Sequence, residues 1–212
     1  MLVPPLEDSP LSLEDVRLGA GEALAIADDE HDSLLYVYEG GALLNLSEGS
    51  HRLEARTAAL VLAGEAAAVT GDDVGVSFVY GRVSSTADRH APLGLREVVA
   101  RRDRAAADSA TGARSFEILF GPGNGSTRAT LFMGLVPPGK APWHFHLYDE
   151  IVWIPEGPGR LHLDEGIDEL KRGSAFRLRP RQVHIVENTG SSTLELVGLF
   201  TPAGSPSAAY LV

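Results

Sequence analysis

The chain has 212 residues, of which 44% are hydrophobic and 22% are charged, a balance typical of a globular protein that buries its own core. Its 29 acidic and 18 basic residues give a formal net charge of −11, so nucleic acid is not an expected partner, because like charges repel over most of the surface. Cysteine is absent, which excludes disulfides and thiolate chemistry and leaves nitrogen and oxygen atoms as the ligands of any metal.

Nothing at the start of the chain resembles a targeting signal. Residues 1–10 are acidic and contain proline, without the basic stretch and apolar core of a secretory peptide. The longest apolar runs are a handful of residues, against the roughly 20 needed to span a bilayer. We therefore expect a cytoplasmic protein with no membrane partner.

The chain contains an internal repeat. Moving from Leu34 to Ile151, a shift of 117 residues, superposes residues 34–49 on residues 151–166 without a gap. Such self-similarity predicts two homologous halves of about 100 residues each. The identical pairs include Asp32 and Asp149, Glu39 and Glu156, Gly40 and Gly157, Leu44 and Leu161, and Leu46 and Leu163.

Both halves have the pattern of β-strands. Residues 34–38 and 151–154 are apolar runs with β-branched and aromatic side chains, each followed by a glycine turn, and residues 161–163 and 194–196 alternate apolar with polar side chains. Alternation is the period of a strand with one face on a core. The 23 glycines and 13 prolines add many turn signals between short elements. The sequence therefore predicts an all-β protein, organised as a sandwich or barrel.

A connector separates the two halves, which we place at residues 1–92 and 115–212. The connector, residues 93–114, carries the one helical pattern of the sequence over residues 93–107, although the apolar face of such a helix is thin. Strands are predicted after it at residues 115–120 and 129–136. We therefore predict a short helix that joins two β-rich halves.

Three histidines and a glutamate of the second half form a candidate metal site. His144 and His146 are separated by one residue, so both side chains leave the same face of a strand. Glu150 follows at the start of the next predicted strand, and His184 lies in another strand pattern. Three neutral imidazoles and a carboxylate suit one divalent transition metal, Fe, Mn, Ni, Cu, Co or Zn, with coordination positions left for water or substrate. A His-x-His pair alone is a weak signal, and the spacing does not choose among these metals.

The surroundings of these residues resemble the first motif of the cupin superfamily. That motif runs Gly, four or five residues, His-x-His, three or four residues, Glu, six residues, Gly. The segment from Gly139 to Gly157 matches this spacing throughout.

A second cupin motif follows, with one departure. It runs Gly, five residues, Pro-x-Gly, two residues, His, three residues, Asn. Gly173, His184 and Asn188 have the family spacing, whereas Pro180 is displaced by one position and Arg181 stands where the family has its second glycine. Because of this departure, the sequence does not determine the conformation of the turn before His184.

The resemblance implies a bicupin, with two tandem antiparallel β-barrels of the double-stranded β-helix, jelly-roll-like type. It assigns His144, His146, Glu150 and His184 as the metal ligands of the second barrel, and Glu150 as the catalytic base. When these four positions are shifted back by 117 residues, none of them carries the histidine or glutamate of the family's ligand set. The first barrel is therefore predicted to be degenerate. The residues at the shifted positions are Ala27, Asp29, Ser33 and Ala67.

The resemblance also implies a small-molecule ligand and a homodimer. Among cupins it favours a metal-dependent dioxygenase of the quercetinase-like type; the alternatives are a sugar isomerase or decarboxylase, and a cupin that binds or senses a small molecule or metal without turning it over. Neighbouring polar and aromatic side chains are candidates for substrate contact, with barrel core as the alternative for the aromatic ones. The candidates are Tyr148, Gln182, Phe132 and Phe176.

Three arginines alternate beside the strand that carries His184. They are Arg177, Arg179 and Arg181. Such a row is either a solvated edge or a clamp for a carboxylated or phosphorylated substrate.

Overall fold

The computed structural model of the protein describes residues 9–103, 107–110 and 112–212. Throughout this part of the chain the regular structure is β-strand, with all pairs antiparallel, and it contains no helix that could cross a membrane. The prediction of an all-β fold is confirmed.

In the described residues, six strands of the first half and one strand of the connector form one seven-stranded sheet. Two of them are long, and their pairing shifts register between Val37 and Glu39 and again between Gly40 and Ala42, which bends the sheet. Gly40 has φ 74°, and a Cβ there would lie 2.1 Å from the carbonyl oxygen of Gly75, so only glycine fits this bend. The strands are β1 Leu11–Leu18, β2 Ala23–Ala27, β3 His31–Leu46, β4 Gly49–Glu54, β5 Thr57–Val61, β6 Ala66–Ser84 and β7 Val99–Arg101.

In the described residues, eleven strands of the second half and one short strand of the connector form two six-stranded sheets. One consists of β8 Asp108–Ser109, β9 Ser115–Phe120, β10 Thr130–Val136, β13 Asp149–Trp153, β16 Ala175–Leu178 and β18 Leu194–Thr201. The other consists of β11 Gly139–Lys140, β12 His144–His146, β14 Gly159–Leu163, β15 Gly166–Leu170, β17 His184–Asn188 and β19 Ala209–Leu211. In the described residues none of the three sheets closes on itself, and the arrangement is consistent with a jelly roll.

Strand pairing in the two halves follows the sequence repeat. Ser33 pairs with Val61 between β3 and β5, and the same pair moved by 117 residues is Glu150 with Leu178, which pairs β13 with β16. Likewise Ala42 pairs with Gly71, and Gly159 with Asn188. The repeated residues therefore occupy equivalent places in the hydrogen-bonded ladders.

The two halves share a hydrophobic core. One cluster of buried side chains joins Leu34 and Leu60 of the first half to Leu119, Trp153 and Leu199 of the second. Two further clusters fill the interior of each half separately. Because burial of apolar area is the main stabilising term in folding, the halves stabilise each other.

The predicted helix over residues 93–107 is wrong. The described residues of this segment, 93–103 and 107, contain no helix, and β7 pairs with β5. The reason is that its arginines find separate carboxylates on other elements: Arg96 pairs with Glu65 and Arg101 with Glu54. A helix with a thin apolar face has little to bury, whereas the extended chain satisfies these charges and adds a strand. Residues 104–106 lie outside the described part.

Candidate metal centre

Two facing sheets bring the predicted ligands together. In the first, β12 and β17 pair His144 directly with His184. In the second, β13 carries Glu150. The ring centroid of His184 lies 4.4 Å from that of His144 and 5.0 Å from that of His146, and the Nε2 atom of His146 lies 2.8 Å from Oε2 of Glu150. All four side chains are buried.

Backbone carbonyls set the tautomer of each histidine. The Nδ1 atoms of His144, His146 and His184 lie 3.0, 3.1 and 2.8 Å from carbonyl oxygens, those of Pro142, Tyr148 and Gln182 respectively. A carbonyl oxygen only accepts, so each Nδ1 carries a proton and donates it. This leaves the lone pair on Nε2, as in histidines that bind a metal through that atom.

Burial keeps two of these imidazoles neutral. It lowers the pKa of His144 to about 3, with the neighbouring His184 and Arg114 adding to the effect. Burial likewise lowers the pKa of His184 to about 4. Neutral imidazole is the form that binds metal, so both side chains are in the ligand form at neutral pH.

The Nε2 atom of His146 is an orphaned buried polar atom. It lies close to the Glu150 carboxylate, but the contact lacks hydrogen-bond geometry, and among the described residues this nitrogen has no hydrogen-bond partner. A lone pair that faces a carboxylate is repelled unless a cation lies between them. Two ligand atoms bound at about 2.1 Å to adjacent positions of one metal lie about 3 Å apart, so this pair fits a shared metal ion.

Arg114 stands beside the histidines, where the sequence indicated no functional residue. Its Nη1 lies 3.2 Å from Nε2 of His144 and is placed to donate to that lone pair. Within residues 9–103, 107–110 and 112–212, no three or more His, Asp and Glu side chains are arranged around a metal position. The four side chains have the donor chemistry of a metal site but do not surround one position in this arrangement, and full coordination requires Arg114 to move off His144.

A cavity of about 70 Å³ adjoins these residues. Its polar lining includes Arg114, Tyr148, Glu150 and His184. Most of the remaining lining is apolar: Phe116, Phe132, Leu135, Val136, Val152, Leu178, Val186 and Leu196.

The four predicted substrate-contact residues lie in different places. Tyr148 and Phe132 line the cavity, and the Tyr148 ring stacks on His146 with centroids 4.0 Å apart. Gln182 lies in the turn before β17, where its side-chain oxygen accepts from the backbone N–H of Arg179. Phe176 packs against the core of the second half.

The row of arginines is not a single clamp. Arg177 is half of a buried ion pair, with its Nε 2.8 Å from Oδ1 of Asp149. Arg181 has φ 66°, and its backbone N–H donates to the carbonyl of His146. This left-handed conformation explains why cupins have glycine here, and Arg181 adopts it at a cost of about 1 kcal/mol.

Gly198 on β18 makes room for the cavity wall, and Gly198→Ala is expected to disturb it. A Cβ there would lie 2.1 Å from the Phe132 ring and 3.0 Å from Oε1 of Glu150. We expect a loss of about 1–3 kcal/mol in the free energy of unfolding, typical of overpacking, together with weaker metal binding. Urea unfolding measures the first and metal titration the second. Gly204→Ala is the control, since nothing lies within 4 Å of its added methyl group; equal behaviour of the two variants would contradict this account.

Comparisons with known proteins agree with this architecture. Residues 131–200 match the Cupin_2 family profile, a cupin domain, in agreement with the resemblance of this segment to cupins. These residues include all four candidate ligands. No curated protein matches the sequence.

Solved structures show the same fold at low identity. A mutant of Bacillus subtilis oxalate decarboxylase has a TM-score of 0.74 at 13% identity, covering 97% of this chain and 72% of its own. A further structure of that decarboxylase, studied for its Mn(II) centres, has a TM-score of 0.72 at 13% identity, covering 97% of this chain and 72% of its own. AerE from Microcystis aeruginosa has a TM-score of 0.75 at 12% identity, covering 91% and 88%. At these low identities the likeness shows a shared fold and nothing more.

Proposed function

We propose that this protein is a metal-dependent enzyme that holds one divalent transition-metal ion at His144, His146, Glu150 and His184 and acts on a small organic molecule. The observation that carries the proposal is the buried Nε2 of His146, which faces Glu150 at 2.8 Å without a hydrogen bond. The backbone contacts that fix the three imidazoles, and the low pKa values of His144 and His184, support it. The Mn(II) centres of the oxalate decarboxylase that shares the fold are consistent with such an ion.

Each residue of the site has a proposed role. A bound divalent ion polarises a substrate oxygen as a Lewis acid. Glu150 is the carboxylate next to it and is the base. Tyr148 and Phe132 contact the substrate, whereas Gln182 positions His184 through its carbonyl oxygen, and Phe176 supports the site through core packing.

The size of the cavity favours a small substrate. At about 70 Å³ it is well below the roughly 300–1,000 Å³ of pockets that bind drug-sized ligands, and a flavonol is of that class. We therefore favour the decarboxylase or isomerase alternative over the quercetinase-like dioxygenase. Oxalate, after which the decarboxylase with the same fold is named, is a molecule of suitable size.

We propose further that the chain is a bicupin with halves at residues 1–92 and 115–212. The shared pairing at a 117-residue offset, as in Ser33 with Val61 and Glu150 with Leu178, supports this organisation. The first half then has Ala27, Asp29, Ser33 and Ala67 at the ligand positions and binds no metal in the family's way. The homodimer and the cytoplasmic location stay predictions from the sequence.

Elemental analysis of the purified protein tests the proposal. We expect close to one transition-metal ion per chain, and metal affinity reduced about 100-fold or more in His144→Ala or His184→Ala, since even outer-sphere changes cost 10- to 100-fold. His90→Ala, on the exposed surface, is the control and is expected to retain its metal. Metal content that survives both ligand substitutions would overturn the site, and two ions per chain would overturn the degenerate first half.

A substrate panel then tests the reaction. Small acids and sugars are compared with flavonols, with product formation and oxygen uptake as the measurements. Turnover of a small compound without oxygen uptake is the expected result. Oxygen uptake with a flavonol would restore the dioxygenase, and tight binding without turnover would identify a sensor.

A further inference from the structure

Arg114 lies at the cavity beside the candidate metal ligands. It immediately precedes β9 and lines the same cavity as Glu150 and His184, with its Nη1 3.2 Å from Nε2 of His144. It lies outside the region that matches the cupin profile, residues 131–200. The position thus adds a positive charge next to the candidate metal ligands.

The charges of the cavity leave room for an anion. Among the described residues, the charged ones that line the cavity are Arg114 and Glu150, which offset each other. A divalent ion at the histidines brings the sum to two positive charges, and repulsion between a cation and a guanidinium a few ångströms apart is strong where water is excluded. A negatively charged substrate removes this repulsion, so ion and substrate are expected to favour each other's binding.

The Arg114 guanidinium is charged in its partly buried position. Burial lowers the pKa of Arg114, whereas the neighbouring Tyr148 and Glu150 raise it, and the guanidinium stays charged at neutral pH. Its planar fork matches the two oxygens of a carboxylate.

The rest of the cavity lining is mostly apolar and suits the hydrocarbon part of a substrate. The wall beyond Arg114 is formed by apolar side chains, among them Phe116, Phe132, Val152 and Leu196. The volume of about 70 Å³ is several times the 10–15 Å³ that holds one water. These walls fit a chain of a few carbons.

We propose that Arg114 binds the carboxylate of a small aliphatic carboxylic acid, whose carbon chain lies in the apolar cavity beside the metal position. This inference rests on the proposed function and names its substrate class. It makes Arg114 the residue that selects acids over neutral compounds of the same size.

Butyrate and butyramide are the probes, because they match in size and differ in charge. Calorimetric titration of the wild-type protein is expected to give about 10- to 100-fold tighter binding of butyrate, the range for charge-assisted hydrogen bonds. Saturation with Mn(II) is expected to tighten butyrate binding, and butyrate to tighten Mn(II) binding by the same factor. Equal binding of the two probes, or no butyrate binding, overturns the inference without any variant.

Variants assign the effect to the guanidinium. Arg114→Gln is expected to abolish the preference for butyrate, and Arg114→Lys, which keeps the charge but loses the fork, to retain part of it. Arg160→Gln is the control, since Arg160 pairs with Glu169 on the surface. An unchanged preference in Arg114→Gln would overturn the inference. Butyrate preference in a protein that binds none of the divalent ions of Fe, Mn, Ni, Cu, Co and Zn would support Arg114 and overturn the proposed metal function.

Discussion

Replacing Arg102 with methionine is expected to destabilise the protein by about 3–5 kcal/mol, the cost of breaking a buried ion pair from one side. The Arg102 side chain is 2% exposed and its partner Glu117 is 4% exposed, with Nε 3.2 Å from Oε2. Two further hydrogen bonds, of 2.9 and 3.2 Å, join the guanidinium to Glu195. The substitution leaves the Glu117 carboxylate buried beside a methionine. It also removes the hydrogen bonds by which Arg102 joins Glu117 on β9 to Glu195 on β18.

The neighbouring arginine is a matched control. Arg101 pairs with Glu54 at 2.9 Å, but the side chains are 63% and 47% exposed. Arg101→Met is therefore expected to cost less than about 1 kcal/mol, as exposed pairs do. Adding Glu117→Gln to Arg102→Met is expected to recover part of the loss, because it removes the unpaired charge. Urea unfolding of the variants measures these differences, and similar losses for Arg101→Met and Arg102→Met would show that burial of the pair is unimportant.

The candidate ligands were predictable from sequence because their spacing and strand geometry agree. One residue between His144 and His146 places both on one face of a strand, and the structure pairs His144 with His184 on β17. The 117-residue repeat was equally informative, since it reappears in the register of the strand pairs. The alternation of side chains along a strand determines which face each of them occupies. Both the placement of the histidines and the register of the repeated strand pairs depend on this alternation.

The connector could not be predicted in the same way. Residues 93–107 have helical spacing, yet Arg102 is held by Glu195, a residue 93 positions later. The conformation of this segment depends on carboxylates that become neighbours only in the folded chain. A helical pattern with little apolar surface to bury is easily overridden by such contacts.

Arg114 was missed for a related reason. It lies 30 residues before His144 in the chain, and no motif links the two. A charged residue just before an apolar strand is common on protein surfaces, so the sequence alone carried no signal for its burial. Arg181 is different, because its departure from the cupin glycine was visible in the sequence and the structure shows that it takes the left-handed backbone.

Acid is expected to destabilise the metal-free protein through His144 and His184. Their folded pKa values, about 3 and about 4, lie below the unfolded value of about 6.5. The unfolded chain therefore binds these protons first, and stability falls as pH falls below 6.5 until the folded pKa values are reached. Between pH 7 and pH 5 each histidine is expected to remove about 2 kcal/mol from the free energy of unfolding, at about 1.4 kcal/mol per pH unit.

Urea unfolding of chelator-treated protein at pH 7, 6 and 5 measures this loss. Carboxylates contribute to the acid response of any protein, so the comparison is with a double variant, His144→Gln with His184→Gln, which cannot take up these two protons. Its stability is expected to fall by about 4 kcal/mol less than that of the wild type over the same range. His90→Gln, at the exposed surface, is expected to follow the wild type. If the double variant loses stability in parallel with the wild type, the two buried imidazoles are not neutral in the folded state, and their assignment as ready metal ligands fails with it.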